Sequence, residues 1–328
     1  MSLYQQITHA RDCLSKKIIG QEALVNKLFI ALLADGHLLV EGAPGLAKTR
    51  AIKELGDLIE ADFHRVQFTP DLLPADLTGT EIYRPQDGSF HFQKGPLFHN
   101  LLLADEINRA PAKVQSALLE AMAENQITVG RKTYPLPKLF MVMATQNPIE
   151  QEGTYPLPEA QLDRFLMHIS IDYPQEDAEK AILELNRKEA QEDLLNTSNT
   201  PDKKAQETQI SQQVLFAARH EILNIHMSEE VEDYLLTIIL ATRDASAYDE
   251  DLAYWVNYGV SPRATIALDR CARAHAWLAG KDYVAPSDIQ AVVADVFRHR
   301  LLLSFEAEAN GIDSDYFIEQ LLSYIAVP

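Results

Sequence analysis

Cysteine is scarce in this sequence. Cys13 and Cys271 are the only two, and they lie far apart in a chain of 328 residues. A disulfide framework of the kind that stabilises small secreted domains is therefore not expected. Both side chains are predicted to be small buried apolar groups, in a protein that works in a reducing compartment.

Long hydrophobic runs are also missing. The longest, Leu28 to Ala34 and Leu235 to Ala241, fall well short of the roughly 20 residues that cross a bilayer. The N-terminus from Met1 to Lys17 is polar and lacks the apolar core and cleavage site of a signal peptide. These absences predict a cytoplasmic protein that is not inserted into a membrane.

Basic residues are outnumbered by acidic ones. The sequence has 29 Lys and Arg residues against 48 Asp and Glu residues, which gives a formal net charge of −19. A surface of this average charge repels nucleic acid, so no nucleic-acid partner is expected. The histidines show no metal-ligand spacing, and no zinc site is predicted.

Short apolar runs alternate with longer helical patterns from His37 onward. This alternation is typical of an α/β fold in which helices cover a parallel sheet. Most of the runs are apolar nearly throughout, as buried parallel strands are. The candidate strands are residues 37–40, 63–68, 100–104, 139–144 and 166–171.

The strand signals stop after Tyr173-Pro174, and helical patterns follow, one of them starting at Ser261-Pro262 and ending at Gly280. This change of pattern predicts two unequal domains joined by a polar stretch. We expect an α/β domain at residues 1–173, a linker and the start of the second domain at 174–213, and an all-α domain at 214–328.

Two additional hairpins are predicted within the first domain, near residues 80–92 and 127–136. Asp87-Gly88 is the turn signal of the first, and the second surrounds Gly130. A sheet enzyme does not need such insertions to fold, so we expect them to project toward something that the protein engages. The alternative is that they are surface loops without a partner.

A glycine-rich segment lies between the first predicted strand and a predicted helix, which is the context of a phosphate-binding loop. Backbone N–H groups at the helix start would hold phosphate oxygens, Lys48 would contact the β and γ phosphates, and the Thr49 hydroxyl would bind magnesium. Ala47 replaces the usual glycine, so we expect its φ to be negative. The candidate nucleotide-binding residues of this segment are Gly42, Ala43, Pro44, Gly45, Leu46, Ala47, Lys48, Thr49 and Arg50.

The third predicted strand ends in Asp105 and Glu106. Beside a phosphate-binding loop, two such carboxylates divide the work of nucleotide hydrolysis. Asp105 would hold magnesium or its water, and Glu106 would position and polarise the attacking water. Taken without that loop, the pair would be an ordinary solvated entry to a turn.

The fourth predicted strand delivers Asn147 at its carboxyl end, where open α/β sheets bind ligands. Its amide could orient the attacking water. The competing interpretation is that Asn147 only caps the turn before Pro148, because Asn-Pro is a common turn signal.

Several of these segments together resemble the MoxR branch of AAA+ ATPases. Their order and spacing match throughout, and the resemblance covers nearly the whole chain from Ile19 onward. Alanine at position 47 also looks normal for that family. The matching segments are residues 42–49, 101–108, 144–148, 162–165 and 261–264.

The resemblance implies a five-stranded sheet of order 5-1-4-3-2 with helices on both faces and a small helical lid. It implies ATP with Mg²⁺ bound between the subunits of a homo-oligomeric ring, usually a hexamer. By the match, Asn147 is sensor 1, Arg164 is the arginine finger supplied to a neighbouring subunit, and Arg263 is a sensor 2 arginine that reaches the γ phosphate.

Ile19 and Gly20 resemble the family's adenine-contacting segment. Two of these assignments have a plainer alternative. An arginine at position 164 could form a surface ion pair, and an isoleucine before glycine could be a core residue.

The resemblance further implies that ATP hydrolysis drives chaperone-like remodelling, assembly or metal-insertion maturation of a partner complex. The expected partner, a von Willebrand A domain protein, would be a separate chain, because Tyr248 breaks the Asp-x-Ser-x-Ser motif that starts at Asp244. Two alternatives stay open. One is a magnesium-chelatase-like motor subunit, and the other is a nucleotide-gated scaffold with negligible turnover.

Overall fold

The structure is a computed structural model that describes residues 1–43, 45–86, 88–147, 153–195 and 209–328. Pro44, in the phosphate-binding segment, and the turn residue Asp87 lie outside the described residues. The strands are β1 Leu38–Gly42, β2 Phe63–Gln67, β3 Gly79–Arg84, β4 Ser89–Lys94, β5 Leu101–Asp105, β6 Gln126–Val129, β7 Lys132–Pro135, β8 Met141–Gln146, β9 Met167–Ile171, β10 Val256–Tyr258 and β11 Leu302–Leu303.

Helices surround these strands and make up most of the C-terminal part. Short 3-10 turns occur at Pro96–Phe98, Ile107–Arg109 and Ala245–Ala247. The α-helices are α1 Leu3–Lys17, α2 Glu22–Leu33, α3 Lys48–Leu58, α4 Pro74–Thr78, α5 Ala112–Glu124, α6 Glu159–Leu162, α7 Glu176–Leu195, α8 Gln212–Leu223, α9 Glu229–Arg243, α10 Glu250–Trp255, α11 Pro262–Leu278, α12 Pro286–Phe297, α13 Phe305–Ala309 and α14 Ser314–Tyr324.

The central sheet has five strands in the order β2-β5-β8-β1-β9, and every neighbouring pair is parallel. Numbered by their order along the chain, these strands run 5-1-4-3-2 from one edge to the other. The sequence-based sheet order is therefore confirmed. The strand register pairs Gln67 with Asp105 and Glu41 with Gln146. Polar residues at the carboxyl ends are thereby collected along one edge of the sheet.

Side chains of the central strands alternate between two apolar layers. Leu101 and Leu103 pack toward α3, whereas Leu102 and Ala104 pack toward Leu118 of α5. Both faces are therefore covered by helices, which explains why these strands are apolar nearly throughout. The apolar layer between the sheet and α3 continues without a break into the C-terminal helices. The sheet and the lid therefore share one core.

The lid helix α11 begins and ends as its sequence predicts. The Ser261 hydroxyl accepts a hydrogen bond from the Arg263 N–H at 3.1 Å, Pro262 occupies the first turn, and Gly280 follows the end with φ +77°. A hydroxyl cap satisfies one of the N–H groups that a helix start leaves without partners. Arg263 is thereby held in the first turn of the helix.

Two antiparallel hairpins, β3–β4 and β6–β7, extend from the α/β domain. They touch each other, because the ring of Phe92 stacks on that of Tyr134 with centroids 4.2 Å apart. Tyr83 and Phe90 are exposed on the first hairpin by 53% and 63%. None of the described helices is both long and apolar enough to cross a membrane.

The strand predicted to start at His37 begins instead at Leu38, and the His37 side chain bonds to two neighbouring elements. Its Nδ1 accepts a hydrogen bond from the Val142 N–H at 3.0 Å, and its Nε2 lies 3.3 Å from the Met122 carbonyl. The buried ring therefore joins β8 to α5. Burial lowers the pKa of His37 to about 4, because a charged imidazolium is poorly solvated there.

We predict that His37 contributes to an acid-induced loss of stability. The unfolded chain binds the proton with a pKa near 6.5, so the contribution of neutral His37 is complete above that pH and is lost as pH falls toward 4. The loss should be on the order of 3 kcal/mol. When the free energy of unfolding is measured with denaturant from pH 7.5 to 4.5, it should fall less steeply with decreasing pH in His37→Gln than in the wild type. The exposed His91→Gln should keep the wild-type slope, and equal slopes for all three proteins would contradict the assignment.

Candidate functional site

The phosphate-binding segment lies directly between β1 and α3. Lys48 is the first residue of α3, and its Nζ donates a hydrogen bond to the Gly42 carbonyl at 2.8 Å. Partial burial lowers the pKa of Lys48, against the opposing effect of the nearby Asp105, Glu106 and Glu41 carboxylates. The lysine is thus held at the start of a helix whose N–H groups attract anions.

The expected negative φ of Ala47 is wrong. The structure gives Ala47 φ +57° and ψ +15°, and Gly45 has φ +86°. The loop needs the left-handed conformation to turn its N–H groups inward before α3, and this requirement overrides the preference of the side chain. A residue with a Cβ therefore occupies a conformation that usually favours glycine.

We predict that Ala47→Gly does not destabilise the protein. Release of the left-handed strain, about 1–2 kcal/mol, offsets the extra chain entropy of glycine, about 0.5–1 kcal/mol. The matched control is Ala117→Gly in the middle of α5, which should cost about 1 kcal/mol. Denaturant unfolding without nucleotide measures both. Equal losses of stability in the two variants would show that Ala47 carries no strain.

Asp105 ends β5 and is held on both of its carboxylate oxygens. Oδ1 accepts a hydrogen bond from the Thr145 hydroxyl at 2.6 Å, and Oδ2 accepts one from Arg65 Nη2 at 2.6 Å. The same Arg65 also donates to Gln67 at 3.2 Å. These contacts fix the carboxylate at the edge of the sheet and place a guanidinium beside it.

Glu106 is fixed by neighbours on two other segments. Its Oε2 accepts hydrogen bonds from Gln67 Nε2 at 2.7 Å and from Arg109 at 3.2 Å, and its N–H donates to the Thr145 hydroxyl at 2.9 Å. Its backbone is left-handed, with φ +56°. A non-glycine residue in that region signals a local constraint. This turn directs the two adjacent carboxylates to different partners.

One cavity of about 390 Å³ brings the predicted chemical groups together. Asn147, which is 8% exposed, lies there at the end of β8. Hydroxyl and carboxylate oxygens suit a Mg²⁺ ion, and a lysine with a helix N-terminus suits phosphate. The residues present therefore fit a magnesium nucleotide. The lining residues are Gly45 to Arg50, Arg65, Gln67, Asp105, Glu106 and Thr145 to Asn147.

A second cavity, of about 240 Å³, lies on the other side of the same loop and is partly apolar. Ile19 and Ile182 line it, as expected of a site for a flat base. Arg50 lines both cavities and forms a bidentate ion pair with Glu189 of α7. Gly20 is packed instead, since a Cβ there would lie 2.7 Å from that of Ala178.

Arg164 and Arg263 lie together in a third cavity, apart from the two beside the phosphate loop. They line a cavity of about 200 Å³ with Asp163 and Arg300, and within the described chain neither lines the two cavities beside the phosphate loop. Arg164 Nη1 donates to the Leu119 carbonyl at 2.5 Å. Arg263 lies in the first turn of α11, as its sequence predicts, and the fold brings it beside Arg164.

Sequence reasoning missed Arg65, Gln67 and Thr145, which hold the two carboxylates. A signal for the first two was present, because polar residues at positions 65 and 67 alternate with apolar Val66 and so share one face of β2. Their significance depends on the pairing of β2 with β5, which no local pattern reveals. Thr145 directly follows the predicted strand at residues 139–144, and no local pattern marks its hydroxyl as a partner of Asp105.

Known proteins resemble the chain over both of its parts. Residues 37–167 match the model described as the ATPase family associated with various cellular activities (AAA), and residues 255–321 match the AAA lid domain. The chain is 43% identical over 95% of its length to Chaperone MoxR1 of Mycobacterium tuberculosis, covering 79% of that protein. It is 33% identical over 90% of its length to Protein MoxR of Paracoccus denitrificans, covering 88% of it.

A solved structure supports the same relationship. A candidate ATPase from Cytophaga hutchinsonii, known from its crystal structure, is 44% identical and superposes with a TM-score of 0.87. The match covers 99% of this chain and 96% of that one. Similarity at this level of identity extends to the arrangement of both parts of the fold.

Proposed function

Because the chain belongs to the MoxR family of AAA+ ATPases, we propose that it binds ATP with Mg²⁺ beside the phosphate loop and hydrolyses it. The observation that carries the proposal is the shared cavity. Lys48, Glu106 and Asn147 reach it from three different elements of the fold. A scaffold that only bound nucleotide would not require a carboxylate and an amide at that point.

Five side chains of the cavity have a proposed role in hydrolysis, those of Lys48, Thr49, Asp105, Glu106 and Asn147. Lys48 and the N–H groups at the start of α3 hold the phosphates, and Thr49 and Asp105 hold Mg²⁺, which neutralises phosphate charge. Glu106 accepts a proton from the attacking water, and Asn147 orients that water. The apolar cavity lined by Ile19 takes the adenine ring.

We assign Arg164 and Arg263 to the site of a neighbouring subunit. Their common cavity is separate from those at the chain's own phosphate loop, so an action on bound nucleotide requires a second copy. A ring places one subunit's arginines at the next subunit's phosphates, where guanidinium groups stabilise charge developing on the transferred phosphoryl group. A homo-hexamer is the assembly that we propose.

The mechanical output that we propose is chaperone-like remodelling, assembly or metal-insertion maturation of a partner complex in the cytoplasm. A separate von Willebrand A domain protein is the proposed partner. The name of the Mycobacterium tuberculosis relative supports a chaperone role. The domain division at residues 173 and 213 also stays a proposal.

The magnesium-chelatase alternative has weaker support. The Arabidopsis thaliana magnesium-chelatase subunit ChlI-1 is 29% identical over only 61% of this chain. The relatives named MoxR cover far more of it and are more similar. We therefore favour a MoxR-type role.

Two measurements on the purified protein test the proposal. Isothermal titration calorimetry with Mg²⁺ and a nonhydrolysable ATP analogue should detect binding, and steady-state phosphate release should detect turnover. Binding without turnover would favour the scaffold. Absence of binding to both ADP and the analogue, with Mg²⁺ in excess, would overturn the proposed function.

A further inference from the structure

Asp163, the residue before Arg164, connects the α/β domain to the lid. The Ser261 hydroxyl donates its single proton to the Asp163 carboxylate in a hydrogen bond shared between the two oxygens, at 3.0 and 2.9 Å. The carboxylate also accepts one from Arg300 Nε at 2.8 Å. Ser261 and Arg300 come from separate parts of the lid, before α11 and after α12. One side chain therefore joins three segments.

Arg300 is buried in this junction and also donates through Nη1 to the Val296 carbonyl of α12. Its side chain is 3% exposed, and its Nη atoms donate to the carbonyls of Phe165 at 2.5 Å and Leu166 at 3.1 Å. Those carbonyls belong to the segment that follows Arg164. Nη2 also donates to the Asp163 carbonyl at 3.2 Å, so the buried guanidinium holds the backbone on both sides of Arg164 in place.

The junction also reaches Arg263. The Ser261 oxygen that bonds to Asp163 accepts the hydrogen bond from the Arg263 N–H at 3.1 Å. Arg164 follows Asp163 directly in the chain, and Arg263 lies two residues beyond Ser261. The two arginines that share a cavity are therefore both connected to the Asp163 carboxylate, Arg164 as the next residue in the chain and Arg263 through the Ser261 hydroxyl.

We propose that Asp163 is a positioning residue that holds Arg164 and Arg263 on one face, through its contacts with Ser261 and Arg300. The inference rests on the proposed function, in which that face acts on a neighbour's nucleotide. Asp163 does not touch the nucleotide, and its effect is exerted through the two arginines. Displacing a catalytic guanidinium by about 1 Å can lower the reaction rate about a hundredfold.

The first test is the steady-state kinetics of Asp163→Asn. This variant keeps the size of the side chain and removes its charge. We expect kcat to fall at least tenfold, with KM for ATP changed less than about twofold, because the variant's own phosphate loop is intact. The matched control is Asp315→Asn, which removes the carboxylate bonded to the neighbouring Arg298 at 2.8 Å. It should keep the wild-type kcat.

Mixed subunits separate positioning from general damage. Asp163→Asn subunits mixed with Lys48→Ala subunits should regain activity, because the latter supply an intact arginine face. Asp163→Asn mixed with Arg164→Ala should regain none. A wild-type kcat in Asp163→Asn, or lost activity that Lys48→Ala subunits do not restore while they do restore Arg164→Ala, would overturn the inference and leave the proposed function standing.

A second variant pair covers the case in which Asp163→Asn does not fold. Ser261→Ala removes the hydroxyl that joins Asp163 to α11, and Ser261→Thr retains it. We expect a lower kcat for alanine and near wild-type kcat for threonine, with thermal unfolding as the check on folding. Equal kcat values in the two variants would contradict the inference. Lack of turnover in the wild type would remove its premise and the proposed function together.

Discussion

Glu106→Gln should still bind ATP but should release phosphate at least a hundredfold more slowly than the wild type, because a positioned general base typically contributes 10²–10⁴-fold. Glutamine has the same size and can still bond to Gln67 and Arg109, but its amide does not accept the proton of the attacking water. Calorimetry with ATP and steady-state phosphate release measure the two effects separately.

The control for this prediction is Glu120→Gln, on an exposed position of α5. It makes the same chemical change away from the cavity and should keep the wild-type rate. If the wild type and Glu106→Gln released phosphate at equal, negligible rates, hydrolysis would not be the function of the cavity. The scaffold alternative would then be favoured.

Arg164→Ala should lower phosphate release about a thousandfold, the lower end of what an arginine finger contributes. Nucleotide affinity should change little, because Arg164 lines neither cavity at the chain's own phosphate loop. The exposed Arg187→Ala is the control and should retain the wild-type rate. An Arg164→Ala variant with full activity would exclude the finger role.

The mixing experiment decides whether Arg164 acts between subunits. Arg164→Ala subunits retain the phosphate loop, and Lys48→Ala subunits retain the arginine face. Each is expected to be inactive alone. A mixture should regain part of the activity, at junctions where an intact loop meets an intact arginine. Inactive mixtures at every ratio would count against a site shared between neighbours.

Much of the site could be predicted because its residues lie at the ends of strands in the sequence. Asp105, Glu106 and Asn147 come immediately after apolar strands, and parallel strands present their carboxyl ends at one edge. The order of the sheet came from the resemblance to a known family. Apolar runs alone indicate that strands exist but do not indicate which strands are neighbours.

The features that the sequence did not reveal depend on tertiary contacts. Ala47 has a positive φ because the loop geometry requires it, and no helix-start pattern encodes that requirement. Gln67 becomes a partner of Glu106 only after β2 pairs with β5. Arg263 and Arg164 line one cavity, and Asp163 beside them contacts Ser261, which lies 98 positions away in the sequence.

Helix α5 links the turn that follows Glu106 to the β6–β7 hairpin. It begins shortly after that turn and ends at Glu124, and only the cap residue Asn125 separates it from β6. Thirteen residues of α-helix form a stiff rod of about 20 Å. A tilt of that rod at the end near Glu106 would swing the tip of β6–β7, and the stacked rings of Phe92 and Tyr134 would carry β3–β4 with it.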